Sequence, residues 1–529
     1  MVNQKKANGK MEGNVMNVSR YMFFVAAALV MSAVCACQKE NVSVDDEVSV
    51  QRTVTLTASI GQSSTKASLG EWTGTEYPVL WDEGDAIAVM NNGRLFKFVI
   101  DSEDAGKTVA DFICNEAEGY DESMEITAYY PYSAVTYSEG TVTCAIPAVQ
   151  EYVEGGFGKG AAPMAASRQA GDDAGLVFNN LFGVFKVQIK GVEGETVSAF
   201  EVGSSKVLAG SATLADDLTF TMPGTDAPSN VSLSFPSPVD ISQTKDFLVA
   251  LPAGEQILAF VVTTDKGRYY KKTTAKKSVE AGKVMKMPLI DLGAEDSELR
   301  EMMSVRYSED NTDGVFVGYN VWANVNCGYH PTDYKWGKIY QWGRKDGCGY
   351  NDGGNYQETM LQTFRDGQFE WDGTGTCQPE AGIFYRSDNA SQTFHWMTGN
   401  GASKRDMWNA GTSVNPVKTI YDPCPEGWRV PVGSEFTALM DNCSSFVTVD
   451  SYPGWWLSGT DVYDESMAAK VFFPAAGQRY NNIDGFGNRG EEGYYWADNY
   501  NGSLYLKKNT RGSYRGSRSE GLYIRCVKE

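Results

Sequence analysis

The stretch that decides the fold of this chain is Leu176-Val177-Phe178-Asn179-Asn180-Leu181-Phe182-Gly183-Val184-Phe185-Lys186-Val187-Gln188-Ile189-Lys190-Gly191. Its second half alternates strictly, with Phe185, Val187 and Ile189 on one side and lysines and a glutamine on the other. Successive side chains of a strand point to opposite faces of a sheet, so the pattern predicts a strand with one face in a core. The same period of two runs from Val54 to Ile60, and both segments predict a mainly β protein.

Composition agrees with this fold class and bounds the number of domains. The chain has 529 residues, 55 glycines and a formal net charge of −21. One core typically holds about 100–200 residues, so we expect three domains. Turn signals recur about every ten residues, which is typical of sandwiches and barrels. The acidic surface argues against nucleic acid and anionic membranes as partners, because both select basic surfaces.

The N-terminus predicts export. A basic stretch precedes an apolar run from Tyr21 to Val34, which is shorter than the ~20 apolar residues of a membrane-spanning helix and suits a signal peptide. The run ends in Val34-Cys35-Ala36-Cys37, which resembles the lipobox of bacterial lipoproteins. Cys37 fits better than Cys35 because a small residue, Ala36, precedes it. We therefore expect a signal peptide over 1–36, lipidation of Cys37, a tether over 37–50 and an outer-membrane, cell-surface location; the alternative is an ordinary secretory signal.

Eight further cysteines permit disulfides in an oxidising compartment. They are Cys114, Cys144, Cys327, Cys348, Cys377, Cys424, Cys443 and Cys526. The chain contains no C-x-x-C pair and only two histidines, His330 and His395, so we expect no metal cage. Exclusion within the first domain makes Cys114–Cys144 a candidate pair, whereas the partners of Cys327, Cys348, Cys377 and Cys443 stay open.

Residues 51–292 resemble the fimbrillin family, the type V pilins and accessory pilus subunits of Bacteroidales. The resemblance depends on five segments in a fixed order: Thr65-Lys66-Ala67, Trp81-Asp82-Glu83-Gly84-Asp85-Ala86-Ile87, Pro163-Met164-Ala165-Ala166, Phe178 to Gly191 and Ala281-Gly282-Lys283-Val284. It implies two transthyretin-like β-sandwich domains, which we place at 51–170 and 171–292, followed by a charged linker at 293–304.

The same resemblance implies processing and assembly. In the family a protease cuts the first strand region after an arginine, and the opened groove accepts a strand from a neighbouring subunit. Arg52 is the only arginine between Cys37 and the first long strand, so it is the candidate cleavage site. The alternative is that Arg52 is a solvated residue at the edge of the sheet.

Beyond residue 304 the chain becomes rich in aromatic residues. The motif from Tyr421 to Pro431, the helical pattern from Gly433 to Met440, Tyr340-Gln341-Trp342-Gly343 and the closing segment from Arg518 to Val527 resemble the Fibrobacter-type major paralogous domain. The resemblance covers 305–529 and implies an α+β C-type lectin-like domain, with a disulfide between Cys424 and Cys526. We expect this domain to fold on its own.

Catalytic chemistry is not indicated by the sequence. His395 has no nucleophile motif beside it. Glu491 and Glu492, which follow each other in the chain, are carboxylates of the kind that glycosidases use, but they lie in a glycine-rich loop. We expect no enzyme activity and no cofactor. Calcium is the alternative, because Asp346-Gly347, Asn351 to Asn355 and Asn481 to Gly485 offer oxygen ligands in turns, although none has EF-hand spacing.

The functional signal that remains is aromatic. Exposed tryptophan and tyrosine rings bind the apolar faces of sugars and anchor protein interfaces. Six side chains in polar, glycine-rich segments are candidate ligand-binding residues: Trp455, Trp456, Trp371, Tyr494, Tyr495 and Tyr514. The alternative is that they form the core of a domain poor in leucine and isoleucine.

Together these features favour an accessory or tip subunit of a surface pilus, which acts as an adhesin through its C-terminal domain. Its expected partners are other pilus subunits by strand exchange, a glycan or host protein, and the membrane through the lipid anchor alone. One alternative is a lipoprotein outside any pilus that binds glycans, and another is a carbohydrate-active enzyme. Turnover assays, glycan arrays and assembly into fibres would separate these hypotheses.

Overall fold

A computed structural model describes the arrangement of most of the chain after residue 51. The described residues are 52–61, 68–69, 79–172, 174–224, 228–294, 298–332, 334–348, 350–351, 359–360, 363–371, 383–386, 396–399, 406–440, 443–458, 470–480 and 486–529. These described residues belong to one compact unit. Strands dominate these residues, so the predicted mainly β class is confirmed. None of the described helices has the length and apolarity needed to cross a bilayer.

The first strands form a barrel. The elements up to residue 180 are Val54–Ile60 (β1), Ser68–Leu69 (β2), Val79–Leu80 (β3), Ala86–Asn91 (β4), Arg94–Ile100 (β5), Val109–Cys114 (β6), Ile126–Tyr130 (β7), Val135–Ser138 (β8), Thr141–Ile146 (β9), Val149–Val153 (β10), Gly156–Phe157 (β11), Met164–Arg168 (β12) and Leu176–Asn180 (β13), with single 3-10 turns at Ser102–Asp104 and Tyr132–Ala134. Seven of these strands close in the order β1-β13-β12-β7-β4-β5-β6.

Alternation along the strands fills the barrel. Val54, Leu56 and Ala58 of β1 are buried while the threonines between them are exposed, as the sequence predicts. Trp81 lies in this core, edge-on to Phe112, Tyr130 and Phe178 with ring centroids 4.9–5.6 Å apart. The inside of the barrel is therefore packed with side chains.

The second group of strands forms a sandwich. Its elements are Phe182–Lys190 (β14), Thr196–Ser204 (β15), Gly210–Leu214 (β16), Phe220–Thr221 (β17), Asn230–Ser234 (β18), Val239–Asp240 (β19), Lys245–Pro252 (β20), Gly254–Gln256 (β21), Leu258–Thr264 (β22), Gly267–Lys272 (β23), Lys277–Val279 (β24), Val284–Lys286 (β25) and Ile290–Asp291 (β26). One sheet contains β10, β18, β15, β22 and β23, and the other contains β20, β14 and β25. Phe185, Val187 and Ile189 of β14 face the core between them, which confirms their predicted orientation.

The chain crosses between barrel and sandwich more than once. Strand β9 pairs with β16, and β10 runs parallel to β18. Strand β13, which follows residue 170, belongs to the barrel. A single boundary at residue 170 therefore does not separate the sheets. The proposed pair Cys114–Cys144 is wrong, because Cys114 lies in the barrel core and Cys144 in a separate cluster, and both are free thiols.

The C-terminal part, residues 305–529, contains many short strands. They are Arg306–Tyr307 (β27), Thr312–Asp313 (β28), Val315–Val317 (β29), Asn320–Trp322 (β30), Tyr340–Gln341 (β31), Tyr350–Asn351 (β32), Thr359–Met360 (β33), Thr363–Asp366 (β34), Phe369–Trp371 (β35), Ile383–Arg386 (β36), Met397–Gly399 (β37), Trp428–Arg429 (β38), Val447–Val449 (β39), Tyr452–Leu457 (β40), Val471–Pro474 (β41), Gln478–Arg479 (β42), Phe486–Gly487 (β43), Glu492–Tyr495 (β44), Ser503–Lys507 (β45), Thr510–Tyr514 (β46), Gly521–Leu522 (β47) and Val527–Lys528 (β48). The described helices are Glu298–Met303 (α1), before this part, and Gly433–Met440 (α2) within it.

The segment predicted as a linker is packed against the sandwich. Helix α1 buries Met303, and Arg300 binds both carboxylate oxygens of the buried Glu195. Arg300 Nε also donates to the carbonyl of Leu292 at 2.6 Å. Residues around α1 therefore fix the point at which the C-terminal part leaves the sandwich.

The sandwich and the C-terminal part share a core. On β23, Tyr269 packs into the sandwich, whereas the next residue, Tyr270, packs into a cluster with C-terminal residues. Tyr270 donates a hydrogen bond to the carbonyl of Tyr319 at 2.9 Å. An added Cβ at Gly203 would lie 1.8 Å from the carbonyl oxygen of Gly318, so only glycine fits at this contact.

Candidate binding surface of the C-terminal part

The end of the C-terminal part is tied to its middle by a disulfide within the Tyr421–Pro431 motif and to its beginning by a strand pair. Cys424 and Cys526 form the disulfide that the resemblance implies, with their Cα atoms 5.9 Å apart. Strand β48 pairs with both β30 and β38, so the last strand lies at the centre of a sheet. The assignment of this part to the C-type lectin-like fold stays a prediction.

The motif turn is held by buried polar groups. Asp422 accepts hydrogen bonds from the backbone N–H groups of Cys424 and Val430, both at 2.8 Å. Burial raises the pKa of Asp422 to about 6, although these bonds and the nearby Lys418 act in the opposite direction. The amine of Lys418 donates to the carbonyls of Cys424 and Pro425 at 2.7 and 2.6 Å. These contacts give the turn a structural role.

Helix α2 is anchored by a second buried group. Glu435 binds Arg429 through both carboxylate oxygens at 2.6 and 2.9 Å, and Lys272 of the sandwich lies 3.2 Å away. It also accepts the N–H of Val432, as a glutamate does in a capping box. The helix begins at Gly433, so Val432 is its N-cap residue and Glu435 is the third residue of the helix.

Most of the predicted ligand-binding aromatics are core residues. Trp455 is 1% exposed, Tyr494 4% and Tyr495 0%. The hydroxyl of Tyr495 donates to the carbonyl of Pro474, and that of Tyr494 donates to Glu492. These three positions are therefore corrected from candidate platforms to packing residues, because the domain fills its interior with aromatic rings.

Trp456 lies differently from its neighbour. Adjacent residues of a strand point to opposite faces, so on β40 Trp455 faces inward and Trp456 faces outward. Trp456 is opposite Phe472 of β41, with ring centroids 5.2 Å apart, and the amine of Lys470 lies 4.9 Å from the Trp456 ring centroid. We call these three side chains the Trp456 face.

The Trp456 face is held in place by its sheet. The backbone N–H of Trp456 donates to Ser444 Oγ at 2.9 Å, and the backbone N–H of Ser444 donates to the carbonyl of Trp456 at 2.8 Å. At Gly454 an added Cβ would lie 2.7 Å from the Phe472 ring, so a glycine there lets the ring lie against the strand. Among the tryptophans of the C-terminal part whose side chains the structure describes, Trp456 alone is half-buried and the others are buried.

The remaining predicted site residues are scattered. Tyr514 is half-buried, edge-on to Tyr494, and its hydroxyl donates to Glu520 at 3.0 Å. The backbone of Trp371 ends β35, but its side chain lies outside the described residues. Glu492 is paired with Lys507 at 3.0 Å and Glu491 is exposed. Three of the five aromatics whose side chains are described are buried, so these five do not form one exposed site.

Arg52 lies just before the barrel. Its guanidinium donates to the carbonyl of Tyr120 at 2.6 Å and pairs with Glu122 at 2.8 Å. Strand β1 begins two residues later and lies between β6 and β13. A cut after Arg52 would therefore leave β1 in the barrel.

Several sequence-based expectations lie outside the described residues. They concern Cys35, Cys37, Cys377, His395, Asn481 to Gly485 and most of Asn351 to Asn355. Cys327 and Cys348 are buried free thiols and Cys443 is a half-buried one. Cys327 was missed as a site residue: its sulfur lies within 4.8 Å of both disulfide sulfurs. No signal in the sequence spacing places Cys327 beside Cys424 and Cys526.

Comparison with known proteins gives only partial likenesses. No family model matches the chain, and no curated protein matches it. A Bacteroides ovatus protein assigned to cell adhesion is 12% identical, with a TM-score of 0.32 over 46% of this chain and 94% of that one. A Bacteroides uniformis protein with the same assignment is 20% identical, with a TM-score of 0.31 over 45% of this chain and 94% of that one. A fimbrial protein of B. ovatus is 11% identical, with a TM-score of 0.22 over 89% of this chain and 98% of that one. Likenesses this weak establish neither a family nor a function.

Proposed function

We propose that this protein is a cell-surface accessory or tip subunit of a pilus that acts as an adhesin through its C-terminal part. Lipidation at Cys37 would anchor it to the outer membrane, and other pilus subunits would be its assembly partners. The proposal is supported by the order of the fimbrillin-like segments in 51–292 and by the aromatic C-terminal part that follows them. The alternative is a lipid-anchored protein outside any pilus that binds glycans.

The observation that carries the adhesive role is the Trp456 face. A half-buried indole beside Phe472 presents an apolar surface, and the amine of Lys470 lies over the indole ring. Such a combination suits the apolar face of a sugar or an aromatic-rich patch of a host protein. Because the indole ring of Trp456 already packs against Phe472 and Lys470, binding would cost little further ordering of the side chain.

Strand exchange would need more than the cut after Arg52. A groove in the barrel opens only if β1 leaves both β6 and β13, with which it makes a ladder on each side. Cleavage at Arg52 would release the residues before β1 and leave that strand to be displaced by an incoming one. Assembly by strand exchange is therefore proposed as displacement of β1.

The test uses residues 38–529 on a glycan array and against immobilised mucin. We expect binding that Trp456→Ala weakens by about 1–3 kcal/mol, since a platform aromatic contributes roughly that much. Tyr137→Ala is the matched control, because Tyr137 is also a partly exposed aromatic on a hairpin, but in β8. Equal binding by wild type and Trp456→Ala would remove the adhesive role of this face. Binding by a chain that never enters fibres would favour the alternative function.

A further inference from the structure

A cleft of about 770 Å³ lies between the sandwich and the C-terminal part. One wall is formed by the end of β15, the β16–β17 hairpin and the β20–β21 turn, and the other by residues 317–322 and helix α2. Cavities of roughly 300–1,000 Å³ are typical of small-molecule sites. The Trp456 face contributes nothing to this cleft, so an inference about it goes beyond the proposed function.

The joint that forms the cleft is rigid. The side chain of Asn230 donates to the carbonyl of Gly318 at 2.9 Å and accepts the N–H of Gly318 at 3.0 Å. Gly203 and Gly318 bring the two backbones into direct contact. Lys272 crosses from the sandwich to Asn320 and Glu435 at 2.9 and 3.2 Å. The cleft is therefore a preformed cavity between two fixed walls.

Two charged residues line the cleft, and they differ in whether an ion pair neutralises them. Lys206 and Glu435 are the only charged residues among those that line the cleft. Glu435 is neutralised by Arg429 and Lys272, whereas Lys206 makes no ion pair with any described residue. The amine of Lys206 lies over Gly254, where an added Cβ would be 2.9 Å from it. The amine of Lys206 is therefore the one charge in the lining that is available to a ligand, and it suits an anionic group.

The neutral lining suits hydroxyl groups on an apolar ring. Ser205 Oγ accepts the N–H of Ile257 at 3.0 Å, which leaves its proton free to donate. Thr221 and Ser229 add two hydroxyls, and Phe220 adds an aromatic ring. The buried Nε1–H of Trp322, also in the lining, has no acceptor among the described residues. A buried donor without a partner costs free energy that a ligand oxygen or an ordered water would recover.

We infer that this cleft binds an acidic monosaccharide or a similar polyhydroxylated carboxylic acid, with the carboxylate at Lys206. The ring lies against Phe220 and hydroxyls meet Ser205, Thr221 and Ser229. Because the walls belong to the sandwich and the C-terminal part, the bound acid links the two and stabilises their joint.

Titration calorimetry on residues 38–529 tests the inference with D-glucuronic acid and N-acetylneuraminic acid as probes and D-glucose as the neutral comparison. We expect at least one acid to bind and glucose to bind several-fold more weakly. Lys206→Gln should weaken binding of the acid about 1.4- to fivefold, since an exposed ion pair contributes about 0.2–1 kcal/mol. Equal binding of acid and glucose would overturn the assignment of the carboxylate to Lys206.

Two plugging variants test the location. Ala438 is an exposed residue of α2 that lines the cleft, and Ala438→Trp should reduce binding below detection. Thr437→Trp, at the next exposed position of the same helix but outside the lining, should leave binding unchanged. Thr221→Trp repeats the plug from the opposite wall if the first variant does not fold. Trp456→Ala should bind the acid normally. Binding that survives both plugs would overturn the proposed site, whatever the outcome for the adhesive role.

Discussion

Burial raises the pKa of both Glu435 and Asp422, but the net pKa shifts of these two carboxyl groups have opposite signs. Burial alone raises the pKa of Glu435, but the attraction of Arg429 and Lys272 outweighs it and lowers the pKa to about 2. Asp422 has no bidentate cation, so burial dominates and its pKa rises to about 6. Glu435 therefore stabilises the fold as an anion, whereas the fold is more stable when Asp422 is protonated.

This difference predicts two separate windows in a pH titration of stability. Glu435 has a folded pKa below its ordinary 4.5, so its contribution is complete above that value and is lost as the pH falls towards 2. Asp422 has a folded pKa above its ordinary 3.8, so stability rises as the pH falls from about 6 to about 4. Urea unfolding between pH 2 and pH 8 should show that Asp422→Asn removes the rise and Glu435→Gln removes the acid loss. A rise that persists in Asp422→Asn would contradict this account.

Glu435 also allows a prediction at neutral pH. Glu435→Gln leaves Arg429, which is buried, and Lys272 without their carboxylate. Removing one partner of a buried ion pair costs about 3–5 kcal/mol. The free energy of unfolding should fall by that amount, while Glu491→Gln, at an exposed glutamate, should change it by less than about 0.5 kcal/mol. A small effect of Glu435→Gln would mean that water reaches this ion pair.

Single elements could be predicted from the sequence where a period was clear. Strand β1 and the inward residues of β14 follow from alternation, and helix α2 spans the predicted Gly433–Met440. The opposite orientation of Trp455 and Trp456 could also be predicted from the sequence, because adjacent residues of a strand cannot share a face. Which of the two is buried depends on the pairing of β40 with β41, which is not encoded locally. Cysteine pairing failed for the same reason, since Cys114 and Cys144 lie in different sheets.

The cluster of sulfurs beside β48 gives a prediction about this element. Cys327 lies within 4.8 Å of both sulfurs of the Cys424–Cys526 bridge, and Tyr340 donates to its sulfur at 3.2 Å. In Cys424→Ser, we therefore expect Cys327 to pair with Cys526, and peptide mapping under non-reducing conditions should find that link. The double variant Cys424→Ser, Cys327→Ser should lose the bridge altogether and up to about 5 kcal/mol of stability, since the native loop spans 102 residues. Free Cys526 in the single variant would show that the sulfurs cannot approach.

At the scale of the whole molecule, the described residues form one continuous structure. Strands β9 and β10 lie in the chain between the barrel strands β7 and β12 but pair with β16 and β18, and the sandwich and the C-terminal part share the cluster around Tyr270. Sequence patterns located each segment but not these joints, because the joints depend on residues far apart in the chain. The cleft lined by Lys206 and Ala438 arises at such a joint, so no local pattern could have shown it.

The shared core predicts that residues 305–529 do not fold stably alone, contrary to the expectation from the sequence. Their isolation would remove Ala259, Val261 and Tyr270 from the C-terminal core and Lys272 from Glu435. The isolated segment should therefore show no cooperative thermal transition, whereas residues 52–529 should.

In the longer chain, Tyr270→Ala should destabilise the C-terminal part by about 3–5 kcal/mol, as expected for truncating a buried aromatic. Tyr270→Phe, which removes only the hydrogen bond to Tyr319, should cost about 1 kcal/mol. Hydrogen exchange would locate the loss, and the prediction fails if β29 and β30 keep full protection in Tyr270→Ala, because the two parts would then fold independently.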